Sequence, residues 1–183
     1  MIVPDITDPS FGWKSCSQFF PQPPSEWRRW LLDPRSLTQI LVRHSQGDFA
    51  VKLVEESWWQ GKSPYLSRLL GDRLSSQRMW SRKVVLQGKG IPWVIAHTLV
   101  PQESLRGKLA QVKKLETKPL GAFLFSHSNL CRGKLDIVST AAGWGRCSLF
   151  LLDWQPILVA EFFLPALISR NAKPFSNTLS NAQ

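Results

Sequence analysis

Glu161 lies inside the run Pro156-Ile-Leu-Val-Ala-Glu-Phe-Phe-Leu-Pro165, where a fully solvated carboxylate is out of place. Read as a strand, the run puts Ile157, Val159, Glu161 and Phe163 on one face and Leu158, Ala160, Phe162 and Leu164 on the other. Both faces are otherwise apolar, so the strand is expected to be covered on both sides, with the carboxylate partly stripped of water. Desolvation raises a carboxyl pKa unless a cation or hydrogen-bond donors compensate, and groups shifted in this way collect at functional sites. A glutamate at a sheet edge, or half of a structural ion pair, would fit the same run. Arg82 is the complementary case. In the strand-like stretch Trp80 to Gln87 it shares a face with Trp80, Val84 and Leu86, while Ser81, Lys83 and Gln87 point the other way. An arginine snorkelling near a strand end would look the same. If the fold brings Arg82 and Glu161 to one cavity, they can grip a ligand with a carboxylate at one end and a hydroxyl at the other.

A third feature is Thr117-Lys118-Pro119-Leu120-Gly121, which opens a short helix through Phe125 with Pro119 suited to its first turn. Leu120 and Gly121 would present free backbone N–H groups there, a arrangement that can hold a carboxylate or simply start a helix well.

The elements needed to position these residues follow from patterning. Met1 to Pro24 is rich in Pro, Ser and aromatics and reads as an irregular lead. Ser25 to Leu32 reads as a short helix capped by Ser25, and Ser36 caps a second from Leu37 to Val42. Strands are expected at Phe49 to Glu55, Trp80 to Gln87, Trp93 to Val100, Leu135 to Val138, Cys147 to Leu152 and Ile157 to Leu164. The second and third form a hairpin around Gly88-Lys89-Gly90-Ile91-Pro92, and the last two another around Asp153-Trp154-Gln155-Pro156. Trp58 to Ser76 is mixed, with a helix from Pro64 to Leu70. Pro101 to Leu115 reads as helical, with Leu105, Leu109 and Val112 at helix spacing. Ala141 to Arg146 reads as a glycine-broken loop. Together these predict a single α+β domain over residues 25–168: a mainly antiparallel sheet of about six strands with helices on one side. Residues 169–183 read as a loose polar tail.

Bulk properties narrow the chemistry. Among 183 residues, 43% are hydrophobic and 20% charged, which is ordinary for a soluble globular protein. The formal charge is +10, but no run of Lys or Arg exceeds a pair and no nucleic-acid-binding signature accompanies it, so no specific nucleic-acid partner is expected. A positive field that draws in a small anion explains the charge equally well. Cys16, Cys131 and Cys147 are widely spaced without a CxxC, which argues against a disulfide framework and for a reducing, cytoplasmic compartment. His44, His97 and His127 are isolated, so no metal site is proposed. The acidic, proline-containing start does not resemble a signal peptide, and no stretch approaches the ~20 apolar residues that span a bilayer.

Several segments, taken in order, resemble the bacterial chorismate pyruvate-lyase family. They are Arg82-Lys83-Val84-Val85-Leu86, Ile91-Pro92-Trp93, Thr98-Leu99-Val100-Pro101, Lys118-Pro119-Leu120-Gly121 with Leu124-Phe125, Trp144-Gly145-Arg146 with Ser148, and Glu161-Phe162-Phe163-Leu164-Pro165-Ala166. The resemblance covers roughly Ser81 to Ala166. It implies a lyase that removes pyruvate from chorismate to give 4-hydroxybenzoate, an early step of ubiquinone biosynthesis, with no metal or organic cofactor. It also implies one antiparallel sheet with helical flaps enclosing the product, which can then inhibit. By the same resemblance Arg82 binds the ring carboxylate, Glu161 faces the product hydroxyl, the Leu120 backbone helps bind the carboxylate, and Leu37 fills an apolar contact position often held by Met. A monomer is expected. The competing expectation is a non-catalytic aromatic-acid sensor of the same fold, which normally carries a DNA-binding region that the first 80 residues do not resemble.

Overall fold

Two tight turns organise the sheet. Lys89 and Gly90 both adopt positive φ, 54° and 71°, and so do Asp153 and Trp154, at 50° and 62°. Consecutive left-handed residues match the right-handed twist of the strands they join, so each pair closes a two-residue hairpin. The expected five-residue loop at Gly88 to Pro92 is therefore shorter than its turn-like composition implied, because Gly88 and Ile91 still pair across the ladder.

In a computed structural model that describes residues 3–169, seven strands form one antiparallel sheet: β1 Lys14–Ser15, β2 Phe49–Trp59, β3 Met79–Gly88, β4 Ile91–Pro101, β5 Cys131–Thr140, β6 Gly143–Leu152 and β7 Gln155–Phe163. Their spatial order is β1-β5-β6-β7-β4-β3-β2. The helices are α1 Ser25–Leu31, α2 Leu37–His44, α3 Pro64–Leu70, α4 Asp72–Ser75, α5 Leu120–Phe125 and α6 Pro165–Ser169. The tail expected over residues 169–183 lies, after Ser169, outside the described residues. The single α+β domain with its antiparallel sheet is as expected, with β1 and longer strands added.

Order matters more than strand count. The hairpins β3–β4 and β6–β7 lie side by side because β4 pairs with β7. One strand therefore separates β3, which carries Arg82, from β7, which carries Glu161.

Each face of the sheet has its own cover. Val85, Ile95, Ala160 and Phe162 pack under Ile6, Trp13 and Leu66, so the N-terminal lead and α3 close one side. On the other, Val84, Val94 and Ala96 meet Trp30, Leu31, Leu37 and Leu41 from α1, α2 and their connection. Further along that face, Ile157, Val159 and Phe150 meet Leu109, Val112, Leu120 and Leu124.

Several local expectations are corrected. Pro24, not Ser25, occupies the cap position of α1, whereas Ser36 does accept from the Gln39 N–H at the start of α2. Pro101 to Leu115 is not one α-helix but two 3-10 segments, Gln102–Ser104 and Gly107–Lys114. Gly107, at φ 55°, breaks the path, and buried Leu109, Val112 and Leu115 recur every third residue, the 3-10 period. The stretch Gly143 to Arg146 is the start of β6 rather than a loop, and the chain turns at Ala141-Ala142 instead.

Candidate active site

One face of the central strands opens into a narrow cleft. Its floor comprises Arg82, Val84 and Leu86 of β3, Ala96 and Thr98 of β4, and Val159 and Glu161 of β7. Its roof is the N-terminal ends of α2 and α5, contributing Leu37, Thr38, Leu120 and Gly121. The two helices meet closely: a Cβ on Gly121 would stand 2.5 Å from Thr38 Oγ1, so only glycine fits without displacing its neighbour. The four residues singled out from sequence, Leu37, Arg82, Leu120 and Glu161, all line this cleft.

Arg82 is buried, its side chain 1% exposed, and its donors are largely committed. Nε donates to Glu56 Oε1 at 3.1 Å, and Nη2 donates to the Glu116 and Lys118 carbonyls at 2.6 and 3.3 Å. These bonds aim the guanidinium across the cleft beside the start of α5. Burial lowers its pKa from the ordinary value, and the Glu56 carboxylate opposes that shift. Glu56 belongs to the edge strand β2 and stands opposite Arg82 in the ladder.

Glu161 has a cation that sequence reading did not identify. Arg146 stands opposite it in the β6–β7 ladder, and Arg146 Nε donates to Glu161 Oε2 at 2.5 Å. The compensating charge anticipated for a desolvated carboxylate is thus present, on side chains 2% and 15% exposed. Arg146 Nη1 also donates to the carbonyls of Trp30, Leu31 and Asp33, at 3.0, 3.4 and 2.8 Å. The first two oxygens end α1, where helix carbonyls lack intrahelical partners, and the third lies just beyond it. One guanidinium therefore ties the cleft carboxylate to the helical cover.

Arg132, on β5, is a second cleft cation missed from sequence. Its Nε and Nη2 donate to Ser148 Oγ at 3.0 and 2.8 Å, and Nη1 donates to the carbonyls of Asp33 and Pro34 at 3.4 and 3.2 Å. The alternation of Arg146, Ser148, Phe150 and Leu152 along β6 was available as a signal for Arg146. Arg132 offered none, because the register shift between Arg132 and Leu135 breaks the alternation that would assign its face.

A second polar cluster sits on the opposite face and has a different character. Ser81 Oγ and His97 Nε2 are 2.9 Å apart, and His97 Nδ1 lies 3.5 Å from Asp5 Oδ1. The set resembles a nucleophilic triad in composition only. His97 Nδ1 accepts the Ile6 N–H at 3.1 Å, so its proton resides on Nε2 and is donated to Ser81. A serine nucleophile needs the reverse polarity. His97 is fully buried, and burial pulls its pKa down to about 4. The neutral imidazole braces the N-terminal lead against β4.

Among the described residues no group of His, Cys, Asp or Glu is placed to hold a metal ion, and no helix is long and apolar enough to cross a membrane. The cleft instead combines cationic forks, one carboxylate and apolar walls. That set can orient a small planar anion and move a proton beside it.

Comparison with known proteins gives a consistent result. The family model described as chorismate lyase matches residues 10–173. A chorismate pyruvate-lyase of Proteus mirabilis is 36% identical over 145 residues, covering 75% of this chain and 79% of that protein. One from Erwinia tasmaniensis is 34% identical over 137 residues, covering 75% and 77%. A probable chorismate pyruvate-lyase of Photobacterium profundum is 36% identical over 139 residues, covering 74% and 76%. Among solved structures, a possible transcriptional regulator of Bacillus subtilis matches at 12% identity and TM-score 0.46, over 66% of this chain and 60% of that one. That likeness is too slight to bear on function.

Proposed function

The chain belongs to the chorismate lyase family, and from that membership we propose that it eliminates pyruvate from chorismate to give 4-hydroxybenzoate, the aromatic precursor of ubiquinone. The observation that carries the assignment of the site is the shared cleft of Arg82 and Glu161, residues from different hairpins brought to one face by the β4–β7 pairing.

Chorismate has a ring two electrons short of aromatic, a ring carboxylate, a hydroxyl, and an enolpyruvyl ether on the carbon next to that hydroxyl. Elimination breaks the bond between the ring carbon and the ether oxygen, and the electron pair leaves with enolpyruvate. The hydroxyl-bearing carbon loses its proton, and the electrons of that C–H bond complete the aromatic ring. Enolpyruvate takes up a proton and becomes pyruvate. The reaction is strongly downhill, so the protein must chiefly orient the substrate, exclude water and handle one proton.

Arg82 offers its remaining guanidinium nitrogen, Nη1, to the ring carboxylate, supported by the Leu120 backbone at the start of α5. Leu37 forms the apolar wall. Glu161 faces the hydroxyl end, where it either carries the proton or anchors the hydroxyl. Arg146 holds that carboxylate in place. The segment from Ser25 to Val42 acts as the flap; Arg146 and Arg132 hold its carbonyls over the cleft, and opening it must break those bonds. Residues 25–168 form the lyase domain, preceded by the lead over residues 1–24. The scattered cysteines, free where described, support a cytoplasmic location, and the chain works as a monomer.

The test is direct. Purified chain incubated with chorismate in excess EDTA is expected to release 4-hydroxybenzoate and pyruvate in equal amounts, followed by absorbance and a coupled pyruvate assay. A folded chain that leaves chorismate untouched, or that needs added metal, would overturn this reading.

A further inference from the structure

Four arginines line the cleft: Arg35, Arg82, Arg132 and Arg146. Three are paired with a carboxylate, Arg35 with Asp33 at 2.5 Å, Arg82 with Glu56 at 3.1 Å and Arg146 with Glu161 at 2.5 Å. Arg132 has no such partner among the described residues. Its hydrogen bonds go to one hydroxyl and two backbone carbonyls, all neutral acceptors. Burial, followed by repulsion from Arg146, pulls its pKa down to about 10, against the attraction of Glu161 and Asp33. A partly buried guanidinium held rigidly by neutral groups is poised to gain from an incoming anion.

The ladder shows where that anion would lie. Arg82 pairs with Thr98, Thr98 with Val159, and Val159 with Ser148, the residue that Arg132 grips. Arg82 and Ser148 thus end a single row of four residues across the cleft floor. At about 4.8 Å per strand, their Cα atoms are roughly 14 Å apart. Glu161 is two residues along β7 from Val159, about 7 Å off the row near its middle. One arginine therefore belongs to each end of the row, Arg82 by its own position and Arg132 through Ser148, with a carboxylate set to one side between them.

Chorismate presents the complementary pattern. Its ring carboxylate and hydroxyl lie at opposite ends of the ring, and its second carboxylate hangs from the carbon beside the hydroxyl. We propose that Arg132 receives the carboxylate of the enolpyruvyl group, the half of the substrate that leaves. The inference rests on the function proposed above and deepens it. Arg132 engages the substrate and the departing enolpyruvate but has nothing to hold on 4-hydroxybenzoate, which keeps only the ring carboxylate. Ser148 is then a positioning residue, since it orients two of the guanidinium nitrogens.

The test compares ligands that do and do not carry the second carboxylate. Arg132→Met and Arg132→Lys are assayed for chorismate turnover and for 4-hydroxybenzoate affinity by calorimetry, with melting curves for both. Loss of one charge-assisted hydrogen-bonding group predicts that kcat/KM for chorismate falls roughly 10- to 100-fold in Arg132→Met, while the 4-hydroxybenzoate Kd stays within about threefold. Arg132→Lys keeps the charge without the planar fork and is expected to recover part of the loss. It also keeps the test valid if Arg132→Met does not fold, because the flap carbonyls lose their donor in that variant. A parallel fall in substrate turnover and product affinity, or no change in either, overturns the inference. A parent chain without lyase activity instead defeats the functional reading, and the inference falls with it.

Discussion

Arg146 and Glu161 are direct cross-strand partners whose side chains close to 2.5 Å, and the same guanidinium caps the carbonyl end of α1. The cleft carboxylate and its helical cover are therefore held by one side chain. A buried charge pair of this kind contributes little net stability as a pair, but losing one partner strands the other.

Arg146→Met is accordingly expected to destabilise the fold by several kcal/mol, about 3–5 for an uncompensated buried charge. In enzyme that remains folded, the Glu161 carboxylate loses the donor that fixes its position, so the single-turnover rate falls. Arg146→Lys should restore most of the stability and part of the rate. A stability loss with an unchanged rate in the folded fraction would leave Arg146 a purely structural residue.

Arg82 and Glu161 are expected to separate by role. Arg82→Ala removes the cation offered to the ring carboxylate, so affinity for 4-hydroxybenzoate and catalysis are both expected to fall. Glu161→Gln keeps the shape but not the ionisable group. If Glu161 transfers the proton, single-turnover rate falls ~10²–10⁴-fold while product affinity changes far less. If it only anchors the hydroxyl, the rate stays within roughly tenfold, the worth of about one hydrogen bond. Wild-type kinetics in both variants would remove them from the site.

The roof of the cleft is built on the close contact between α2 and α5 at Thr38 and Gly121. Tight product binding behind a flap predicts early bending of progress curves in the parent chain, since lid opening often limits turnover. Gly121→Ala pushes a methyl group against Thr38 and should hold the two helices apart. Its 4-hydroxybenzoate dissociation rate should rise, measured by stopped-flow tryptophan fluorescence, and the curvature should weaken. Unchanged release in a variant of normal stability would separate the flap from the rate.

His97 sets an acid limit on stability. Its pKa is about 4 in the folded protein against an ordinary 6.5, so the unfolded chain binds more protons between those values. Stability is complete above pH 6.5 and declines as pH falls toward 4, by roughly 3 kcal/mol from this group. Melting temperature should drop across that window. His97→Gln, which can still accept from Ile6 and donate to Ser81, should flatten the profile; a slope identical to the parent would assign it to other groups.

Much of the framework was legible in the sequence because it is written in local terms. Period-two alternation placed Arg82 with Val84 and Leu86, and Glu161 with Val159, on the faces they occupy. Ser36 announced α2, and Pro64 opened the helix to Leu70. The α+β class followed from those strands and caps. Where local signals misled, the cause was also local: Gly107 diverted an apolar run from the α to the 3-10 period, and Gly143 and Gly145 disguised the start of β6. Partnership is a different kind of fact. Nothing along the chain says that β4 pairs with β7, and that single non-local pairing brings Arg82 and Glu161 to one cleft. It took the β6–β7 register to place Arg146 opposite Glu161. It took the bulge in β5 to turn Arg132 into the same space, where it grips Ser148 and the carbonyls before α2. A sequence records which face of its own strand a side chain takes. Which charge it meets there depends on contacts between residues far apart in the chain, and these exist only in the folded structure.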